Sequence, residues 1–143
     1  MASLIPRFVK EEVVETWRGL DLWLILLNEN HNPDASNQRY YAEISENEIE
    51  DSGGAYIKGT GIHITANKTN QRHGNNYYLD LPDIDIGPGA NLNYMYAALI
   101  THTGGSGPAT YRILAQVDFG SNQIVTNGTS TIQWNALGVI YVS

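Results

Sequence analysis

Past residue 20, no apolar run in this chain goes far before a glycine, proline or asparagine interrupts it. The last third shows the pattern most clearly: Tyr111 to Phe119 and Ile132 to Val142 are separated by Gly120 and by Asn127-Gly128, and Asn135 and Gly138 interrupt the second run. Short apolar segments bounded by such residues are strand and turn chemistry in alternation. The polar residues here are mostly Asn, Gln, Ser and Thr, which finish turns and solvate faces more readily than they move protons. The stretch reads as the end of a β-sandwich. Ile113, Ala115, Val117 and Phe119 share one strand parity, and Ile132 and Trp134 another, which marks six residues for packing between sheets.

Upstream, Met1 to Gly19 is the one helical candidate. Pro6 suits a first helical position, Val9, Val13 and Trp17 recur at helical spacing, and Gly19 supplies a stop. One apolar stripe would pack on a sheet while Lys10, Glu11, Glu15 and Arg18 stay wet; the alternative is an arm that docks on a neighbouring subunit. Leu20 to Leu27, LDLWLILL, reads as a central strand buried on one face at its start and on both toward its end. Asn28 to Gln38 is a turn-rich surface loop around Asn32-Pro33-Asp34, and Tyr40 to Ile44 a short strand. Ser52 to Asn67 reads as one long strand, with Tyr56, Lys58, Thr60, Ile62, Ile64 and Ala66 on one parity. Gly59 and Gly61 would mark a bulge or a close backbone approach in it. Lys68 to Asn76 reads as a polar loop. Tyr77 to Leu81 and Ile84 to Ile86 are strands broken by Pro82, Gly87-Pro88-Gly89 closes that segment, and Tyr94 to His102 is a further strand.

The sum is an all-β chain: a β-sandwich or jelly roll of about eight short antiparallel strands with one N-terminal helix. A helix or arm over 1–19 would pack on a single domain over 20–143. At 143 residues the chain can bury roughly 70% of the surface its unfolded form exposes, enough for a core without staples. It has no cysteine, so no disulfide framework, thiolate metal site or cysteine nucleophile is available. Fifteen acids against eight bases leave a net charge of −7, and after Arg72 the only base is Arg112. Such a chain repels nucleic acid. The apolar run Leu22 to Leu27 falls far short of the ~20 residues of a membrane span, and the first residues lack the layout of a signal peptide, so no membrane partner is expected.

Few motifs suggest chemistry. HTGGSG at 102–107 is glycine-rich but leads into a strand and lacks the following Lys-Ser/Thr of a phosphate-binding loop. Asp80, Asp83 and Asp85 offer three hard oxygen donors for calcium, or serve as edge carboxylates that discourage aggregation; their spacing is not that of an EF-hand. Glu43 to Asp51 packs five acids into nine residues, either a solvated turn or a patch facing a basic partner or a cation. His31, His63, His73 and His102 show no paired ligand spacing, and no serine sits in a nucleophile elbow. No metal, cofactor or catalytic set is implied. Asn67-Lys-Thr69 and Asn127-Gly-Thr129 match the glycosylation sequon and read as turns. Nine tyrosines and three tryptophans are more informative, because tyrosine joins large area to a polar tip and is enriched at interfaces. Tyr40, Tyr41, Tyr77, Tyr78, Tyr94, Tyr96 and Tyr141 are the interface candidates. They would bury in the core or against other chains, or stack on sugars in a lectin-like groove.

The C-terminal VDFGSNQIVTNGTSTIQWNALGVI, with its D-F-G, its Asn-Gly turn and its T-I-Q-W-x-x-x-G-[IV] close, resembles a family of small structural proteins of tailed bacteriophages. LWLILLNENHNP, GGAYIKGTGIHI and YYLDLPDIDI resemble that family's opening strand and loop, its glycine-rich strand and its Asp-rich strand pair. The central stretch departs from the family's pattern in that Gly53-Gly54 precede Tyr56. No lysine strand or catalytic loop accompanies Asp118-Phe119-Gly120, so it is not a kinase motif. The resemblance implies a non-enzymatic virion component, and among such roles a capsid decoration (cement) protein that binds the major capsid protein and itself as a homo-oligomer. It would be made in the host bacterial cytoplasm and sit on the capsid surface. A tail, neck or fibre-associated protein is the alternative within that class. A carbohydrate-binding sandwich for host attachment stands outside it, as does a glycan-cleaving enzyme, which would need paired carboxylates across one cleft.

Overall fold

Six consecutive apolar side chains, Leu22 to Leu27, form the strand on which the larger part of the chain is built. The computed structural model describes residues 7–64, 69–73, 76–101, 111–134 and 140–142. Among them run one helix, α1 (Arg7–Arg18), and seven strands: β1 (Leu22–Leu27), β2 (Ile62–His63), β3 (Thr69–His73), β4 (Asn76–Asp80), β5 (Ile84–Thr101), β6 (Arg112–Ile132) and β7 (Ile140–Val142). The chain is all-β with an N-terminal helix, and its strands pair antiparallel. It forms two compact units, one from Met1–Leu20, Thr65–Ile84 and Ile132–Ser143, the other from Asp21–Ile64 and Asp85–Thr131.

In the second unit the sheet order is β2-β1-β5-β6. β1 lies inside it, paired with β5 from Leu22↔Thr101 to Leu27↔Tyr96 and with β2 at Trp23↔His63 and Leu24↔Ile62. All of its residues but Trp23 are fully buried, so the two-faced burial expected of LWLILL is what the strand has. Ile25, Leu27, Ala98 and Ile100 on one face pack with Tyr41 and Ile44. β2 is held against β1 by the cross-strand pair itself: the His63 ring stacks on Trp23 at 4.2 Å, and its Nε2 meets the Asp21 carboxylate.

The first unit pairs three strands in the order β3-β4-β7, and α1 packs on all three. Within the helix Val14 is buried and Val9, Val13 and Trp17 of the stripe are half-buried; Glu11, Glu15 and Arg18 are exposed as expected, while Lys10 is half-buried. The Gly19 amide closes the helix on the carbonyls of Glu15 and Thr16. Trp134 stands half-buried, its indole Nε1 donating to the Pro82 carbonyl at 2.9 Å.

Several segments depart from the sequence reading. Among the described residues two strands are far longer than expected, 18 residues in β5 and 21 in β6. Gly87-Pro88-Gly89 does not end a strand but bends one, and at Gly87 a side chain would meet Thr129 Cα at 2.8 Å, so glycine there lets β6 approach. Gly120 and Asn127 likewise lie inside β6, at φ 80° and 48°, as bends rather than ends. Tyr40 to Ile44 is not a strand: Tyr40 bridges Arg112 alone, and the chain then turns through Tyr41–Glu43 and Ser45–Asn47 in two 3₁₀ turns. The Glu43 carboxylate brings about that turn by accepting the amides of Arg39 and Tyr40, both at 3.3 Å. Within the expected Ser52 to Asn67 strand, whose described part ends at Ile64, only Ile62–His63 is strand. Asp51 captures the Gly53 and Tyr56 amides at 2.8 and 2.9 Å and folds the segment into turns instead. Polar Thr69–His73, read as loop, is a strand because β4 supplies its ladder partners from Asp80 to Asn76.

Candidate functional site

The acidic stretch contains the most concentrated polar chemistry in the described residues, and one of its acids, Glu48, turns inward. Glu48 is only 3% exposed. Its carboxylate accepts the Tyr41 hydroxyl, the Tyr56 hydroxyl at 2.6 Å, and the Gly59 amide at 3.0 and 3.1 Å to its two oxygens. Tyr56 in turn accepts the Leu26 amide at 2.9 Å.

The reason lies in β1. Strand β2 ends its pairing at Leu24, which leaves the backbone of Leu26 and Asn28 without a ladder on that side. The Glu48 segment completes the edge: Ile49 N–H donates to Leu26 O at 3.1 Å, Asn28 N–H to Asn47 O at 2.9 Å, and Tyr56 takes the remaining Leu26 N–H. Burial, reinforced by the neighbouring carboxylate, pushes both the Tyr41 and the Tyr56 hydroxyl well above the usual tyrosine range. Nearby Asp51 accepts the amides of Gly53, Tyr56 and, at 2.8 Å, Asn91. Burial alone would raise its carboxyl, but these backbone donors outweigh it and hold the group below its ordinary value.

A second polar group ties down the Asn28 to Gln38 loop. His31, 4% exposed, has Nε2 at 2.7 Å from Gln116 Oε1, an acceptor only, so the imidazole donates. Gln116 Nε2 donates to Gln38 Oε1 at 2.9 Å, which also accepts the Asp34 amide at 2.9 Å. The loop is thus pinned to β6, and the Tyr96 ring meets His31 edge-on at 5.4 Å.

Two of the interface tyrosines are core residues. Tyr41 serves Glu48, and Tyr94, 2% exposed, bonds Ser130 Oγ at 2.7 Å and meets the Phe119 ring edge-on. Tyr78 and Tyr96 are half-buried, and Tyr40 is exposed. Tyr77 lies in β4 and Tyr141 in β7, with their side chains outside the described residues. Tyr56, which sequence reasoning passed over, is the most engaged tyrosine; its place eight residues from a glutamate was the available signal. Among the described residues the exposed large apolar ones are Tyr40, Ile57 at 61% and Ile124 at 69%. Ile124 borders an open groove of about 590 Å³, whose other walls include Asn28, Glu46, Glu50, Asn91 and Asn93.

The remaining candidates do not assemble. Among the described residues no three His, Asp or Glu side chains gather as metal ligands. Asp83 and Asp85 are exposed, and Asp85 accepts the Thr131 hydroxyl at 2.6 Å. His102 with the rest of HTGGSG, and the Asn67 sequon, lie outside the described residues, as does the His73 side chain. Asn127 of the other sequon donates its amide to Asn91 Oδ1 at 3.0 Å. No described helix is long and apolar enough to cross a membrane. Compared with family models, with curated proteins and with solved structures, the chain matches none.

Proposed function

We propose that this chain is a non-enzymatic structural protein of a phage virion, a capsid decoration protein that binds the assembled head. The observation that carries the reading is the use made of its most hydrogen-bonded polar side chains. Glu48, Asp51 and His31 spend their hydrogen-bonding capacity on β1, on the turn after Asp51 and on the Asn28 to Gln38 loop. Their work is to stiffen a β framework, while Tyr40, Ile57 and Ile124 offer apolar area to a partner. The C-terminal sequence resemblance supplies the virion context. Many copies, each burying modest area, would stabilise a shell through symmetry and avidity.

The test is co-sedimentation of the purified chain with assembled capsids and its copy number per particle. Hundreds of copies, with loss of heat resistance in particles lacking the chain, are expected; a dozen or fewer would sink the decoration role in favour of a tail or neck component. One observation favours a second reading. The amides of Asn28, Asn91 and Asn93 beside Glu46 and Glu50 in an open groove suit carbohydrate hydroxyls. Saturable glycan binding abolished by Asn93→Ala would support it, and a silent glycan screen would remove it.

A further inference from the structure

The second unit has three basic residues, Arg39, Lys58 and Arg112, and the acids outnumber them. Lys58 is paired with Glu50 at 3.6 Å. Arg39 and Arg112 make no ion pair among the described residues. They nevertheless lie together, lining one mostly polar groove of about 400 Å³ with Ala35, Gln38, Tyr40 and Ile113.

The backbone explains the juxtaposition of Tyr40 with Arg112. Ile113 N–H donates to Arg39 O and Tyr41 N–H to Tyr111 O, both at 2.8 Å, which makes the bridge between Tyr40 and Arg112 a non-hydrogen-bonded antiparallel pair. Facing side chains are closest in such a pair, so the Tyr40 ring and the Arg112 stem leave the backbone side by side. The nearest acid in sequence, Glu43, is occupied with the amides of Arg39 and Tyr40. In a chain of net charge −7, two exposed arginines line one groove whose described walls include no carboxylate.

We propose that the Arg39–Tyr40–Arg112 groove is a binding site for a carboxylate of an acidic protein segment, taken by the two guanidinium groups with the exposed tyrosine ring packing on the adjoining chain. The proposal deepens the reading of the chain as an assembly protein by naming the chemistry of one contact. Planar guanidinium forks match a carboxylate with two parallel hydrogen bonds, and exposed tyrosine and arginine together are the residues most often found to anchor interfaces. The chain's overall negative field disfavours a polyanion such as nucleic acid and is far less adverse to single carboxylates.

The experiment titrates the isotope-labelled full chain with an end-blocked hexapeptide carrying a single glutamate among serines and, separately, with inorganic phosphate. Arg39 and Arg112 side-chain and Tyr40 ring resonances report binding. The peptide is expected to shift them saturably, with affinity falling on the order of tenfold in Arg39→Gln/Arg112→Gln and on raising salt, and unchanged in Lys58→Gln. No saturable shift, or binding retained in the double variant, would overturn the proposal. So would phosphate binding as tightly as the peptide, since that defines a site for small oxyanions. Capsid co-sedimentation separates this contact from the broader reading. Retention of capsid binding by the double variant overturns the groove alone, and peptide binding by a chain that fails to sediment overturns the capsid role alone.

Discussion

Glu48 without its carboxylate would leave the buried Tyr41 and Tyr56 hydroxyls with no acceptor inside the core and would release the more exposed Gly59 amide. Each orphaned buried group costs ~1–3 kcal/mol, so Glu48→Ala is expected to lower stability by about 3–5 kcal/mol in urea unfolding. A loss under about 1 kcal/mol would mean the network does not support β1. The same residues set an alkaline limit. Both hydroxyls hold their protons in the folded chain well past the ordinary tyrosine value of 10.0, because burial and then Glu48 oppose the phenolate. The sign follows: this contribution is intact below pH 10.0 and is lost as pH rises beyond it, since the unfolded chain gives up protons the folded chain keeps. Near-ultraviolet titration should therefore find Tyr41 and Tyr56 ionising only as the chain unfolds. Nine tyrosines ionising together in the folded chain would contradict the arrangement.

Strand β1 shows how an element depends on residues far from it in sequence. Its partner β2 is only two residues long, and the rest of that edge is closed by Asn47, Ile49 and Tyr56. β2 is short because of Gly61. That residue sits at φ +74°, and a Cβ there would fall 2.6 Å from Ile25 Cδ1 and closer still to the Leu24 carbonyl. The approach anticipated for the glycines at 59 and 61 is therefore real at 61, where it ends the extended segment against β1. In the first unit, Trp134 plays the corresponding part for the chain leaving β6. Being half-buried, it should cost about 1–3 kcal/mol when cut to alanine, less than a core tryptophan. Trp134→Phe should lose only the bond to Pro82, about 1 kcal/mol. Equal losses for the two variants would place the whole effect in the hydrogen bond.

The chain as a whole builds its two units out of order. It enters the first, leaves at Leu20 for the second, returns at Thr65, leaves again after Ile84 and finishes at Ile132–Ser143 in the first. The first unit's sheet therefore waits for the last residues to be made, since β7 pairs with β4 at Tyr77↔Val142, Tyr78↔Tyr141 and Leu79↔Ile140. A chain ending at Thr131 is expected to lose amide hydrogen-exchange protection in α1, β3 and β4 while β1 and β5 keep theirs. Loss of protection in β1 as well would show that the larger sheet cannot stand without the smaller one.

What the sequence by itself determined are the features with a local cause. The stripe of Val9, Val13 and Trp17 makes a helix by its period, LWLILL makes a strand buried on both faces by its continuity, and Pro82 separates β4 from β5 because it has no amide to give a ladder. The tertiary structure alone decided the rest. Thr69–His73 is polar and unremarkable until β4 lies beside it, and Gly87-Pro88-Gly89 reads as a stop until β6 runs close enough to need glycine there. Glu48 was one acid among five, indistinguishable by composition from its solvated neighbours. Its burial depends on two tyrosines and a glycine amide arriving from three places in the chain, and on a strand edge at Leu26 that only they complete. A carboxylate enters a core when its donors outweigh the water it gives up, and that balance is a property of the assembled neighbourhood.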